Sequence, residues 1–92
     1  MNFKIIHTHI SLKALNKIKK KNKTQYKRII DGLDEIEKDP FKSSNKQLLS
    51  NKCPKCKRKK VGNYRIIYYV NTGLNIIEIQ NIIKRQTNYF NY

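Results

Sequence analysis

The sequence has no tryptophan, a single methionine, two prolines, three glycines and two cysteines, and only six acidic residues among ninety-two. So little glycine and proline excludes a fibrous or low-complexity chain, and no stretch has the composition of a linker. Two cysteines three positions apart, Cys53 and Cys56, cannot build the disulfide framework of a small secreted domain, and they fit a reducing compartment. No apolar run approaches the roughly 18 residues that a membrane helix needs, and Met1 to Ile10 lacks the pattern of a signal peptide. The expected location is cytoplasmic, with no membrane partner. Length excludes a two-domain enzyme or a solenoid, so residues 1–92 are read as one domain.

The shortage of acids is uneven. Asp31, Asp34, Glu35, Glu37 and Asp39 sit together, which leaves Glu78 alone. Paired carboxylates for a metal-dependent nuclease would need cleft partners from other elements, and Glu78 is the one on offer. The acidic group reads instead as a solvated helix face with pairs such as Asp34 to Lys38.

Against six acids stand twenty-one lysines and arginines, a net charge of +15. That exceeds what solubility asks for and suits a polyanionic partner. Lysine, isoleucine and asparagine dominate the composition, so part of this charge is background. The four arginines, Arg28, Arg58, Arg65 and Arg85, are more telling, because a planar fork of donors matches a phosphate. With 38% apolar residues the chain can still bury a modest core.

Hydrophobic spacing divides the chain in two. Asn2 to His7 is β-branched and reads as a strand. Ser11 then caps a predicted helix over Ser11–Lys20 with Leu12, Ala14, Leu15 and Ile18 on one side. Thr24 caps a second over Thr24–Lys38, with Tyr26, Ile29, Ile30, Leu33 and Ile36 forming its stripe and Pro40 stopping it. Beyond Pro40 the period becomes two, and Lys57–Val61, Tyr64–Val70 and Asn75–Ile83 read as strands. Gly62-Asn63 is a two-residue hairpin turn, and Asn71-Thr72-Gly73 a longer loop with Gly73 at positive φ. The fold class is therefore α+β: strand, helix, helix, then three strands, with a helical hairpin on one face of a mainly antiparallel four-stranded sheet.

A two-residue turn at Gly62-Asn63 pairs Val61 with Tyr64, Lys60 with Arg65 and Arg58 with Ile67. Tyr64, Ile66, Tyr68 and Val70 then face the helices, and Arg58, Lys60 and Arg65 share the open face. Three cations at cross-strand distance repel unless an anion lies between them, so the cluster suits a phosphate; a solvated, aggregation-guarding strand edge is the plainer reading. Further on, Arg85 adds a fork, and Tyr89, Phe90 and Tyr92 offer rings. Tyr89 is assigned to base stacking and Phe90 to the core.

Cys53-Pro54-Lys55-Cys56 resembles half a zinc knuckle, yet a structural zinc wants four ligands, so the pair is taken as an incidental reduced turn and no metal site is assigned. His7 and His9 belong to the first strand and receive no part in proton transfer.

Taken together, these features resemble the RelE/ParE toxin superfamily, RelE-type toxins in particular. The resemblance rests on the element order, the lysine-rich helix SLKALNKIKKK, Leu48 or Leu49 before the second strand, KVGNYRIIYYV at Lys60 to Val70 and RQTNY at Arg85 to Tyr89. It implies the toxin of a type II toxin–antitoxin system: a ribosome-dependent messenger RNA endonuclease that needs no cofactor. In that chemistry the 2′-hydroxyl attacks the adjacent phosphate, and a 2′,3′-cyclic phosphate remains. It also implies a RelB-type antitoxin, the ribosome and mRNA as partners. Carried over by position, the site is Arg65 and Arg58 on the phosphate, Arg85 as clamp or acid, Lys60 as base or electrostatic support, and Tyr89 as proton acceptor or stacking platform. Lys55, Lys57, Lys59 and Lys84 are assigned to RNA binding. The pattern departs at Cys56, where a further base is expected and Lys55 or Lys57 would have to substitute. Two other functions keep to the same chain: a ParE-like toxin directed at DNA gyrase, and a non-catalytic RNA- or ribosome-binding module.

Overall fold

In the computed structural model, which describes residues 3–42, 46–47 and 55–84, β1 (Lys4–His7) leads directly into α1 (His9–Lys21) and α2 (Lys23–Lys38). There follow β2 (Lys46–Gln47), β3 (Lys57–Val61), β4 (Tyr64–Asn71) and β5 (Ile76–Lys84). The sheet order is β1-β5-β4-β3-β2, with β1 parallel to β5 and every other pair antiparallel. Four full strands and a two-residue edge strand thus carry the expected α+β layering, and β2 is an addition to it.

Helix starts fall earlier than the sequence suggests. Thr8, not Ser11, caps α1 by accepting from Ser11 N–H at 3.1 Å. Ser11 lies inside the first turn, fully buried, and its hydroxyl donates to Thr8 C=O at 3.1 Å. That hydroxyl proton being spent, His7 Nδ1, 3.1 Å from Ser11 Oγ, is the donor of the pair. Asn22, not Thr24, caps α2 by accepting from Gln25 N–H, and its own N–H closes α1 onto Ile18 C=O. One residue ends one helix and starts the next, which sets the hairpin tightly.

The helical stripes cover one sheet face. Leu15 and Ile18 of α1 and Ile29, Leu33 and Ile36 of α2 join Val61, Ile66, Tyr68, Ile77, Ile79 and Ile82 in one core. Leu12, expected in the α1 stripe, is exposed; buried Ser11 takes the inward position beside the cap. Gly32 lets α2 approach closely, since a Cβ there would stand 2.8 Å from Val61 Cγ2. Tyr68 is buried with its hydroxyl donating to Pro40 C=O at 3.3 Å, which ties the end of the hairpin to the central strand.

The β3–β4 register is as expected, with Val61 opposite Tyr64, Lys60 opposite Arg65 and Arg58 opposite Ile67. Gly62 turns the chain at φ 56°. In the β4–β5 loop the residue at positive φ is Asn75, at 54°, rather than Gly73; Asn71 Oδ1 accepts from Leu74 N–H there. A bulge interrupts the β4–β5 pairing between Ile67 and Tyr68, and Gln80 is the extra residue. Thr8 Oγ1 supports it by donating to the Ile79 and Gln80 carbonyls at 3.0 and 2.9 Å.

Candidate nucleic-acid interface

The face left uncovered by the helices can be laid out in rows across the sheet. One row reads Ile83, Arg65, Lys60 from β5 to β3; the next reads Asn81, Ile67, Arg58; a third holds Glu78 beside Tyr69. Alternation along β3 and β4 sends these side chains away from the core, and packing agrees: Ile66 and Tyr68 join the core under the helices, whereas Ile67, equally buried, belongs to a separate cluster. Arg58 and Arg65 are half-buried and Lys60 is exposed. Rows are about 7 Å apart, so the two arginines and Lys60 can reach a single phosphate group.

Beneath the cations lies a small apolar patch separate from the main core. Ile67 and Cys56 are fully buried in it, with Tyr69 and Ile83 packed alongside. Long cationic side chains use such a patch to rest their stems while presenting their heads. The sheet face is thus an apolar floor with a cationic end.

Some sequence-assigned residues do not join this face. Lys59 points the opposite way, is almost fully buried, and pairs with Glu35 of α2 at 3.2 Å. The hydrogen bond from Lys59 holds the Glu35 carboxyl below its ordinary range. Lys57, of the same parity, sets its ammonium over the Phe41 ring at 5.5 Å. Strand alternation explains both corrections: in a run of four bases, every second one must turn under the helices. Lys84, opposite Tyr64, lines a groove of about 250 Å³ on the helix side with Ala14, Lys17, Ile18, Lys21, Tyr64 and Ile82. Lys55 is exposed just before β3. Arg85 and Tyr89, with Phe90 and Tyr92, lie outside the described residues.

Cys56 also departs from expectation. It is disulfide-bonded, not a reduced thiol in an incidental turn. The chain's other cysteine, Cys53, lies outside the described residues. The place of Cys56 in the apolar patch, two residues before Arg58, explains why no base stands there: the position is a floor position, and the cationic rows end at Arg58.

His7 faces the helix side opposite Ile79, and burial pushes its imidazole below the ordinary value. His7 closes β1 as expected, whereas His9, also expected in that strand, is the first residue of α1, because Thr8 caps the helix there. Tyr69, Asn81 and Glu78, which sequence reasoning did not place in the site, are on the open face. For Asn81 the available signal was the polar pair Gln80-Asn81, which breaks the alternation of β5 and marks the bulge. Its Oδ1 accepts from Ile82 N–H at 2.8 Å. Among the described residues no group of three or more His, Cys, Asp or Glu is placed to hold a metal ion, and no helix is long and apolar enough to cross a membrane.

Comparison with known proteins agrees with the layout. The model of a family described as the ParE toxin of type II toxin–antitoxin systems, parDE, matches residues 5–89. No curated protein sequence matches the chain significantly. Among solved structures, the toxin of the intact Escherichia coli RelBE toxin–antitoxin complex is similar with a TM-score of 0.74 at 20% identity, covering 95% of this chain and 100% of that one. The RelE-RelB complex of the archaeon Pyrococcus horikoshii gives 0.68 at 22% identity, covering 96% and 100%. The YoeB/ParE toxin of Agrobacterium tumefaciens gives 0.74 at 14% identity, covering 90% and 99%. At these identities the likeness speaks for the fold.

Proposed function

Because the chain belongs to the ParE toxin family of type II toxin–antitoxin systems, within the RelE/ParE superfamily, we propose that it is the RelE-type variety of such a toxin, a cytoplasmic endonuclease that cuts messenger RNA on the ribosome. The observation that carries this reading is the gathering of Arg58, Lys60 and Arg65 on the sheet face opposite the helices, with Lys60 and Arg65 directly across from one another. In the reaction the 2′-oxygen bonds to the adjacent phosphorus and the bond from phosphorus to the 5′-oxygen breaks. The 2′-hydroxyl loses a proton, the 5′-oxygen gains one, and charge builds on the non-bridging oxygens between. Forked guanidinium groups aimed at those oxygens supply the stabilisation such a transition state asks for. Arg65 and Arg58 take that part, Lys60 supports them, and Arg85 and Tyr89 are assigned the clamp or proton-transfer roles.

Cations of this kind are weak proton carriers. They suit an enzyme whose substrate is held in line by a larger body, as a translating ribosome holds its message. An antitoxin of the RelB type, acidic and amphipathic, is the matching protein partner for a chain of charge +15.

The matching family is described by the ParE toxin and not by RelE, and the second reading is a ParE-like toxin in which the same fold acts on DNA gyrase. Mapping RNA ends after induction in growing cells separates the two. Cuts confined to translated transcripts support the first. Intact messages with loss of plasmid supercoiling would replace it with the second.

A further inference from the structure

Glu78 is the one acid of the chain outside residues 31–39, and it stands on the sheet face that carries Arg58, Lys60 and Arg65. Its place there is specific. Glu78 is opposite Tyr69 on β4, one row beyond the row of Arg58 and Ile67 and two beyond that of Arg65 and Lys60. Two residues of strand span about 7 Å, so the carboxylate lies roughly 13 to 14 Å along the sheet from Arg65, the reach of about two nucleotides of extended single strand. Gln80 Nε2 donates to Glu78 Oε2 at 3.4 Å, a contact across the bulge that orients the carboxylate. Both Glu78 and Tyr69 are half-buried, and Tyr69 packs its ring against the Cys56 and Ile67 floor, which holds it in place.

A carboxylate on a phosphate-binding face is unfavourable wherever the sugar-phosphate strand runs, and favourable only where the strand turns a donor toward it. Nucleic-acid bases bring such donors: the exocyclic amino groups of adenine, cytosine and guanine. Uracil has no amino group; its one pairing-edge donor, N3–H, is flanked by two carbonyl oxygens whose lone pairs a carboxylate would also face, so it is the poorer partner. A neighbouring aromatic ring gives the splayed base a surface to stack on.

We propose that Tyr69 and Glu78 form a base-reading subsite beside the phosphate cluster, in which Tyr69 stacks one nucleobase and Glu78 accepts from its amino group, selecting amino-bearing bases over uracil. This rests on the RNA reading of the same face, and it adds a specificity residue to it.

Two readouts test the subsite separately from cleavage. The first is binding of the purified protein to 5′-labelled oligouridine octamers, either uniform or carrying a single adenosine, cytidine or guanosine, followed by fluorescence anisotropy. The parent should prefer the octamers with an amino-bearing base by about ten-fold, the scale of one good base contact. In Glu78→Gln the carboxamide can donate to uracil as well as accept from an amino group, so the preference should collapse to within about two-fold. Because this is a ratio, the uniform gain expected from removing a negative charge cancels. Tyr69→Leu should weaken all single-base octamers and leave the ratio in place.

The second readout is the base composition at mapped message cut sites for parent and Glu78→Gln. If messages are not cut at all, the nuclease reading fails while the binding ratio still decides the subsite. Equal ratios for parent and Glu78→Gln, or no preference in the parent, overturn the proposal. So does a failure of the parent to bind any octamer, and Glu78 would then be a contact for a protein partner or a plain sheet residue.

Discussion

Arg65 and Ile66 are neighbours on β4 that point to opposite faces, so replacing each by alanine separates catalysis from folding. Ile66 is fully buried, between the sheet and Gly32 of α2, where a Cβ on Gly32 would stand 3.4 Å from Ile66 Cδ1. Ile66→Ala deletes three carbons, about 2.4 kcal/mol of transfer free energy at about 0.8 kcal/mol each. The cavity left under α2 raises the expected cost to about 3 to 4 kcal/mol. For a domain of this size that lowers the melting temperature by about 10 to 30 °C. Arg65 is half-buried beside Lys60, and Arg65→Ala removes a cation from a cationic row, leaving no cavity in the main core. Its expected cost is about 1 to 2 kcal/mol, below that of Ile66→Ala, because a half-buried guanidinium gives up the packing of its stem as well as its charge. Loss of a preorganised charge contact, however, should reduce message cleavage by about 100-fold or more. The assay pairs a thermal melt of each purified variant with end mapping of a translated reporter message at equal expression. If Arg65→Ala cuts as the parent does, the basic face is not the active site. If it melts as low as Ile66→Ala, the guanidinium is a folding element and the division of labour along β4 is wrong.

Three further outcomes follow from particular contacts. Lys60→Ala should reduce the slope of log binding constant against log salt for single-stranded RNA by about one unit with an unchanged melt, whereas Lys59→Ala, which removes a nearly buried stem packed under α2, should cost about 1 to 2 kcal/mol of stability through lost packing and leave the slope alone. Gly32→Ala should destabilise by about 1 kcal/mol net, the contact with Val61 outweighing the helix-propensity gain; in a Val61→Ala background the same change should become stabilising, which a double-mutant cycle in urea will read. His7 is held neutral by burial, its folded value below 6.5, so between the two values the unfolded chain binds a proton that the folded chain does not. Stability should therefore fall as pH drops below 6.5, and urea midpoints at pH 7.5 and 5.5 should converge in His7→Gln.

The layering of the fold was legible because period and turn chemistry agree: the helical spacing up to Ile36, the stop at Pro40, and Gly62-Asn63 between two alternating runs. The β3–β4 register, and with it the meeting of Lys60 and Arg65, follows from that turn alone. What escaped was decided by neighbours rather than by local pattern. Thr8 wins the cap from Ser11 because its hydroxyl serves the helix start and the β5 bulge together. In Lys57-Arg58-Lys59-Lys60 the alternation that puts Arg58 and Lys60 on the open face already sends Lys57 and Lys59 the other way; what local pattern could not show is what receives them, the Glu35 carboxylate and the Phe41 ring, both remote in sequence. Strict alternation fails past Gln80, which moves Asn81 onto the open face.

The arrangement of opposite charge completes the argument for how this face would meet its target. Five of the six acids occupy residues 31–39, at the end of α2 and just beyond it, and the helices cover the sheet face opposite Arg58, Lys60 and Arg65. At physiological salt the screening length is about 8 Å. Glu35 reaches Lys59 of β3 at 3.2 Å, so the acidic end of α2 lies one layer behind the cationic rows, about one screening length away, and the pair acts on a polyanion as a dipole: one face repels, the other attracts, and the result is an orienting torque as well as net attraction. A chain with the same +15 spread evenly would bind RNA in many poses. Here the lysines of α1 supply unspecific affinity, while the α2 acids discourage approach at that end of the helical layer. The forked donors at the far face are left as the favoured point of phosphate contact, which is the pose that the proposed cleavage requires.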